Sequence, residues 1–287
     1  MPDHRPTHPI GPVSPRPSII FRAAIGLCRF IARGIFGLRV ELQGAEHLPR
    51  DARGRPAGGW IAVPLPHRRW IDPFILLILL PIQPRMYLFG DGRALFKTRM
   101  RRALFWVLGG VVPIWPHGGP KAFWSHVEAA RRVLDAGAVF VIFPEAGPPS
   151  PPDRSRQVEP GFGYLAMRTH RPLVPMVIAG TGEIYRGRRL VLLVLPATTA
   201  EELAGLPPGA SLPEPNSPEE RAAAHRIAER FSEQMAAPIA TLHADVEASS
   251  VGDRKRWLWL THWLDWDADA ADAARAAREA RRAKPDR

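Results

Sequence analysis

Residues 60–76 read WIAVPLPHRRWIDPFIL, and this stretch decides the architecture. Its first part is an apolar run without polar alternation, the pattern of a strand covered on both faces. Its last part starts at Asp72, a residue type favoured at helix N-caps, followed by Pro73, whose fixed φ and missing N–H suit the first helical position. The reading is a buried strand over 60–64, a loop holding His67, and a helix over 73–80 capped by Asp72.

The same alternation of short apolar runs and longer segments continues on both sides. Further strands are predicted over 39–42, 85–89, 111–114, 139–143, 173–178 and 190–195, and helices over 99–108, 121–136 and 161–169. Strand and helix in turn predict an α/β fold, a sheet flanked by helices. Three regions follow. Residues 1–38 are a proline-rich leader and a helix that Ser18 can cap, 39–200 hold the α/β domain, and 201–287 hold a linker and a helical region. Within the last, 201–216 is rich in proline, Ser217 can cap an acidic helix, and Trp257, Trp259, Trp263 and Trp266 suit either a helix docked on its own core or a membrane headgroup region.

The chain has 287 residues, enough to bury a core without staples, and its single cysteine, Cys28, excludes an intramolecular disulfide framework and a thiolate zinc site. No metal is expected. The net charge of +11 points to an anionic partner. Residues 1–39 carry +5 of it and residues 85–102 another +5, while 201–287 sum to −4. No recognised nucleic-acid motif accompanies this charge, so a bilayer surface or a phosphate-bearing substrate is expected and nucleic acid is not.

The run 19–38 has the length of a membrane span but contains Arg22, Arg29 and Arg33. At mid-bilayer each arginine costs about 2.5–3.5 kcal/mol, against gains of about 0.3–0.6 kcal/mol per large apolar residue, so spanning is not expected. The arginines form one stripe on an otherwise apolar helix. That pattern suits a helix lying in a bilayer interface and equally one packed on the domain with its arginines in water. The polar, proline-rich start predicts no cleaved secretory leader.

The chemistry is concentrated at His67 and Asp72, five positions apart. On one continuous helix their side chains would diverge by about 140°, so they meet only if His67 lies in the loop and Asp72 at the helix mouth. Asp72 can then turn back on the imidazole and fix its tautomer, leaving the other nitrogen as a general base. With 10 His and 13 Asp, roughly half a match to H-x4-D is expected by chance, and His262 with Asp267 supplies an accidental one. Only His67 follows a buried-looking strand and precedes a capped helix.

Around this pair, LRVELQGAEHLP, WIAVPLPHRRWIDPFIL, GGVVPI, VFVIFPEAG and PLVPMVIAGT resemble, in order, the blocks of the glycerolipid (lysophosphatidate-type, PlsC-like) acyltransferase family. The resemblance covers residues 38–195 and implies a mixed sheet flanked by helices, with N-terminal and C-terminal helical attachments. It implies an O-acyltransferase that moves a fatty acyl group from an acyl-CoA or acyl-carrier-protein thioester to a hydroxyl of a lysophospholipid or glycerol-phosphate-type acceptor. The thioester is a co-substrate, and no cofactor is implied. His67 would be the base and Asp72 its partner, while Phe143, Pro144 and Glu145 would hold the acceptor. No acyl-enzyme is required, in keeping with the absence of a G-x-S-x-G sequence. The implied place of work is the cytoplasmic face of a membrane, bound peripherally.

Three positions depart from the family pattern. Pro66 stands where Asn commonly precedes the histidine. Pro116 stands where an Arg ordinarily contacts the acceptor phosphate. The glutamate block commonly continues Gly-Thr-Arg-Ser, but here it reads Ala146-Gly147-Pro148 with an insertion before Arg154, Ser155 and Arg156. Arg93, Lys97, Arg154 and Arg156 are the candidates for replacement charge. The altered phosphate site also suits a rival reading, a non-catalytic lipid-binding protein of the same fold.

Overall fold

The computed structural model describes residues 13–68, 71–91, 99, 110–114, 119–146, 154–207 and 210–250. The leader up to residue 12, the predicted helix after residue 99, Arg93, Lys97, Pro116 and the Trp257–Trp266 segment lie outside the described residues.

The strands are β1 (Arg39–Gln43), β2 (Ile61–Leu65), β3 (Met86–Asp91), β4 (Val111–Ile114), β5 (Val139–Val141), β6 (Glu145–Ala146), β7 (Gln157–Val158), β8 (Leu173–Ala179) and β9 (Arg189–Val194). The helices are α1 (Ile19–Phe30), α2 (Asp72–Leu79), α3 (Gly119–Asp135), α4 (Pro160–Thr169), α5 (Ala200–Ala204) and α6 (Pro218–Ser249). Seven strands form one sheet in the order β1-β9-β8-β2-β5-β3-β4, and β6 pairs with β7 in a separate antiparallel ribbon. Neighbours in the large sheet run parallel except β8 and β9, so the sheet is mixed, as expected.

Strand alternation divides the core between the two faces of the sheet. From β2, Ile61, Val63 and Leu65 point into a cluster with Phe140, Phe162, Leu165 and Phe231, under α3, α4 and α6. Ala62 points the other way, into a cluster with Val141, Val174, Met176, Leu76 of α2 and Leu80, which follows that helix. Every residue of β2 is buried, which is why its sequence shows no alternation. Helix α6 adds Ala223, Ala224, Ile227, Phe231, Met235, Ile239, Leu242 and Val246 to the first cluster, so the C-terminal helix is bound to the domain through its core. Its start is capped as expected, with Ser217 Oγ accepting from the Glu220 N–H at 3.0 Å.

Two expectations are corrected. Asp72 is the first residue of α2 rather than its N-cap, which is Ile71. A capping carboxylate would accept from N–H groups one turn ahead, but Asp72 accepts from the loop behind it. Residues 201–216 are not linker throughout, because α5 occupies Ala200–Ala204. The sequence Thr199-Ala200-Glu201-Glu202 makes a full capping box: Thr199 Oγ1 accepts from the Glu202 N–H, and Glu202 Oε2 accepts from the Thr199 N–H.

Helix α1 settles on the domain in an unexpected orientation. Phe21 and Ile25 are buried, and Ser18 caps its start. Arg29 does not point into water. Its Nε donates to the Ile78 carbonyl at 2.8 Å and its Nη2 to the Leu80 carbonyl at 2.8 Å, satisfying acceptors at the C-terminal end of α2. The exposed face carries Ile19, Ile20, Leu27 and Phe30, each at least 58% exposed, beside an exposed Arg22. No helix among the described residues is long and apolar enough to cross a membrane.

Candidate active site

Strands β2 and β5 run parallel side by side, so the chain leaves their C-terminal ends on the same side of the sheet, the usual location of a crevice in an open α/β sheet. The loop after β2 carries His67, and the chain after β5 carries Phe143, Pro144 and Glu145.

His67 Nδ1 lies 3.0 Å from Asp72 Oδ2. The same oxygen accepts the Arg68 N–H at 2.7 Å, which turns the loop tightly onto the mouth of α2. Asp72 is fully buried while the His67 side chain is 37% exposed, so the carboxylate faces inward and the imidazole edge faces outward. In the neutral imidazole a carboxylate facing Nδ1 favours the tautomer with the proton there and the lone pair on Nε2. The spacing argument from the sequence is met by this geometry, with Asp72 one position further into the helix than expected.

Phe143 places its ring 4.2 Å from the imidazole, centroid to centroid, at an interplanar angle of 30°. The Pro144 carbonyl accepts the Glu159 N–H at 2.9 Å. Glu145 joins two loops: Oε2 accepts the backbone N–H of His67, and Oε1 accepts the N–H of Arg156 at 2.7 Å. Burial pushes the Glu145 carboxyl above the ordinary carboxylate range, opposed by these two N–H groups and by the charges of His67 and Arg156. Arg68 Nη2 donates to the Arg154 carbonyl at 2.5 Å, so the segment before β7 is tied to the His67 loop a second time. The structure thus brings His67, Asp72, Phe143, Glu145, Arg154 and Arg156 into one neighbourhood. The contact of Glu145 with the His67 N–H has no local sequence signal. Among the described residues no group of three His, Cys, Asp or Glu side chains stands together to hold a metal ion.

A family model described as Acyltransferase matches residues 39–179, the stretch from β1 to the end of β8. Over this stretch, just under half of its length, the chain matches the acyltransferase family. It is 27% identical over 152 residues to a 1-acyl-sn-glycerol-3-phosphate acyltransferase of Limnanthes alba, covering 53% of this chain and 49% of that protein. Against the protein of the same name from Cocos nucifera the identity is 36% over 77 residues, covering 27% of this chain and 25% of the relative. The chain spans about half the length of the Limnanthes relative, 49% of it. Among solved structures it is similar to the 1-acyl-sn-glycerophosphate (LPA) acyltransferase PlsC from Thermotoga maritima, with a TM-score of 0.47 and 18% identity over 75% of this chain and 80% of that one. The acyltransferase blocks read from the sequence fall within or just beyond the stretch that the family model matches.

Proposed function

We propose that this protein transfers a fatty acyl group from an acyl-CoA or acyl-carrier-protein thioester to a hydroxyl of a lysophospholipid or glycerol-phosphate-type acceptor, with His67 as general base. The observation that carries the reading is the His67–Asp72 contact of 3.0 Å, with a buried carboxylate behind a solvent-facing imidazole. The acceptor hydroxyl gives its proton to His67 Nε2 as its oxygen attacks the thioester carbonyl. Asp72, on Nδ1–H, stabilises the imidazolium that forms. The tetrahedral intermediate then collapses, the C–S bond breaks, and the departing thiolate takes the proton back from Nε2–H. A thioester is already activated, so one displacement suffices and no side chain is acylated.

Arg154 and Arg156 supply the positive charge for the acceptor's phosphate. Their support is the pair of bonds that lays their backbone along the catalytic loop, Arg68 to the Arg154 carbonyl and the Arg156 N–H to Glu145. Phe143 covers one face of the imidazole. The exposed apolar row of α1 supports peripheral attachment to the cytoplasmic face of a membrane.

The test is thiol release from palmitoyl-CoA in the presence of lysophosphatidate, glycerol 3-phosphate or an uncharged hydroxyl acceptor. The wild-type chain should release thiol with a phosphate-bearing acceptor, and His67→Ala should lower the rate by at least about a hundredfold without change in its circular dichroism. Full activity in His67→Ala overturns the mechanism. Binding of lysophosphatidate with no thiol release from the wild type would instead favour the lipid-binding reading.

A further inference from the structure

Glu145 belongs to the block that the family resemblance assigns to acceptor binding, yet its carboxylate is turned inward. Each oxygen already accepts a backbone N–H, one from His67 and one from Arg156. Pro66 has no N–H, so the His67 N–H is the first donor the loop presents after β2. That donor is where Glu145 holds it. The imidazole is then fixed three ways: its backbone by Glu145, its Nδ1 by Asp72, and one ring face by Phe143. The other end of the bridge is the segment that departs from the family pattern. Residues 154–158 follow the inserted stretch, and they reach the site through the β6–β7 ribbon, the Glu145–Arg156 bond and the Arg68–Arg154 bond.

We infer that Glu145 is a positioning residue, a brace that couples the placement of the His67 base to the Arg154–Arg156 segment, and that it does not itself contact the acceptor. The insertion adds residues to the sequence between Glu145 and Arg154. A carboxylate spanning both loops keeps the charge of Arg154 and Arg156 in register with the base. Glutamine has nearly the same shape but only one acceptor oxygen, so in Glu145→Gln an NH2 group faces one of the two N–H donors and that end of the brace opens.

The inference rests on the acyl-transfer reading for its kinetic arm only. That arm measures kcat and the acceptor KM of Glu145→Gln with palmitoyl-CoA and lysophosphatidate. Misplacing a base by a fraction of an ångström should lower kcat on the order of tenfold to a hundredfold, with the acceptor KM within about threefold of wild type. A large rise in KM at unchanged kcat would show that Glu145 touches the acceptor, and would overturn the inference. The second arm needs no substrate. In the NMR spectrum the His67 amide proton should lie far downfield in the wild type, as expected of an N–H donating to a carboxylate, and should move upfield in Glu145→Gln while core amides stay in place. An unmoved His67 amide overturns the brace even if the chain has no transferase activity. Absent transfer with a shifted amide refutes the functional reading and leaves the brace standing.

Discussion

Burial holds the Glu145 proton more tightly than in the unfolded chain, even though two N–H groups and the charges of His67 and Arg156 pull the other way. The sign of the consequence follows from linkage: a carboxyl whose folded pKa is raised stabilises the fold fully below the unfolded value, and that contribution is lost as pH rises through the raised one. Glu145→Gln does not titrate, so it serves as the reference. Urea unfolding of both proteins should show the wild type losing stability relative to Glu145→Gln as pH rises from below the ordinary glutamate range towards neutrality; a flat difference would mean that the carboxylate is not desolvated. How legible each site residue is from the sequence depends on how local its partner is. The His67–Asp72 pair can be read because a five-residue spacing across a strand-to-helix corner leaves few ways for the side chains to meet. The role of Glu145 cannot, because its partner His67 lies 78 positions away and is reached through the backbone, whose N–H carries no mark of residue type.

At the level of elements, α3, α4 and the start of α6 are held together by one buried acid. Glu220 in α6 is 2% exposed and takes a two-pronged bond from Arg168 of α4, at 2.6 and 3.0 Å. It also accepts the Asn216 N–H at 2.6 Å. The Arg168 guanidinium lies 4.7 Å from the ring centre of Trp124 in α3. Removing the acid leaves a half-buried cation without this partner, so Glu220→Ala should cost about 3 kcal/mol in chemical denaturation and Glu220→Gln clearly less. A loss below about 1 kcal/mol would place the pair among ordinary surface ion pairs. The sequence places the strands and most of the helices well, since continuous apolar runs and caps are local signals. It hides how α6 packs. Near its start that helix sets Ala223, Ala224 and Ala228 among larger core residues, and Gly163 of α4 sits so close to Ala224 that an added Cβ would lie 2.4 Å from the Ala224 carbonyl oxygen. Small residues that allow such an approach do not read as core on a hydrophobicity scale. The antiparallel turn of β9 onto β8 is equally hidden, because both strands look like any buried run.

On the scale of the whole molecule, α1 connects an exposed apolar surface to the site. Its inner face, through Cys28, and the turn that follows it, through Ala32, pack in one cluster with Ile75 and Ile78 of α2, the helix whose first residue is Asp72. Its outer face shows Ile19, Ile20, Leu27 and Phe30 to solvent. An unpaired row of large apolar side chains with +5 of net charge in residues 1–39 is suited to an anionic bilayer: the apolar side chains enter the acyl boundary and the cations stay among the headgroups. Burying a leucine or phenylalanine side chain contributes roughly 1.5–3 kcal/mol, and each 1.4 kcal/mol is about a factor of ten in partitioning. Leu27→Glu combined with Phe30→Glu should therefore weaken cosedimentation with phosphatidylglycerol vesicles by at least about a hundredfold. Since both side chains are mostly exposed, circular dichroism should remain as in the wild type. Raising the salt concentration should weaken the wild type's binding by screening the headgroup attraction while leaving an apolar residue of affinity, which the double variant lacks. Equal binding of the double variant and the wild type at low and high salt would show that the exposed face of α1 does not meet the bilayer.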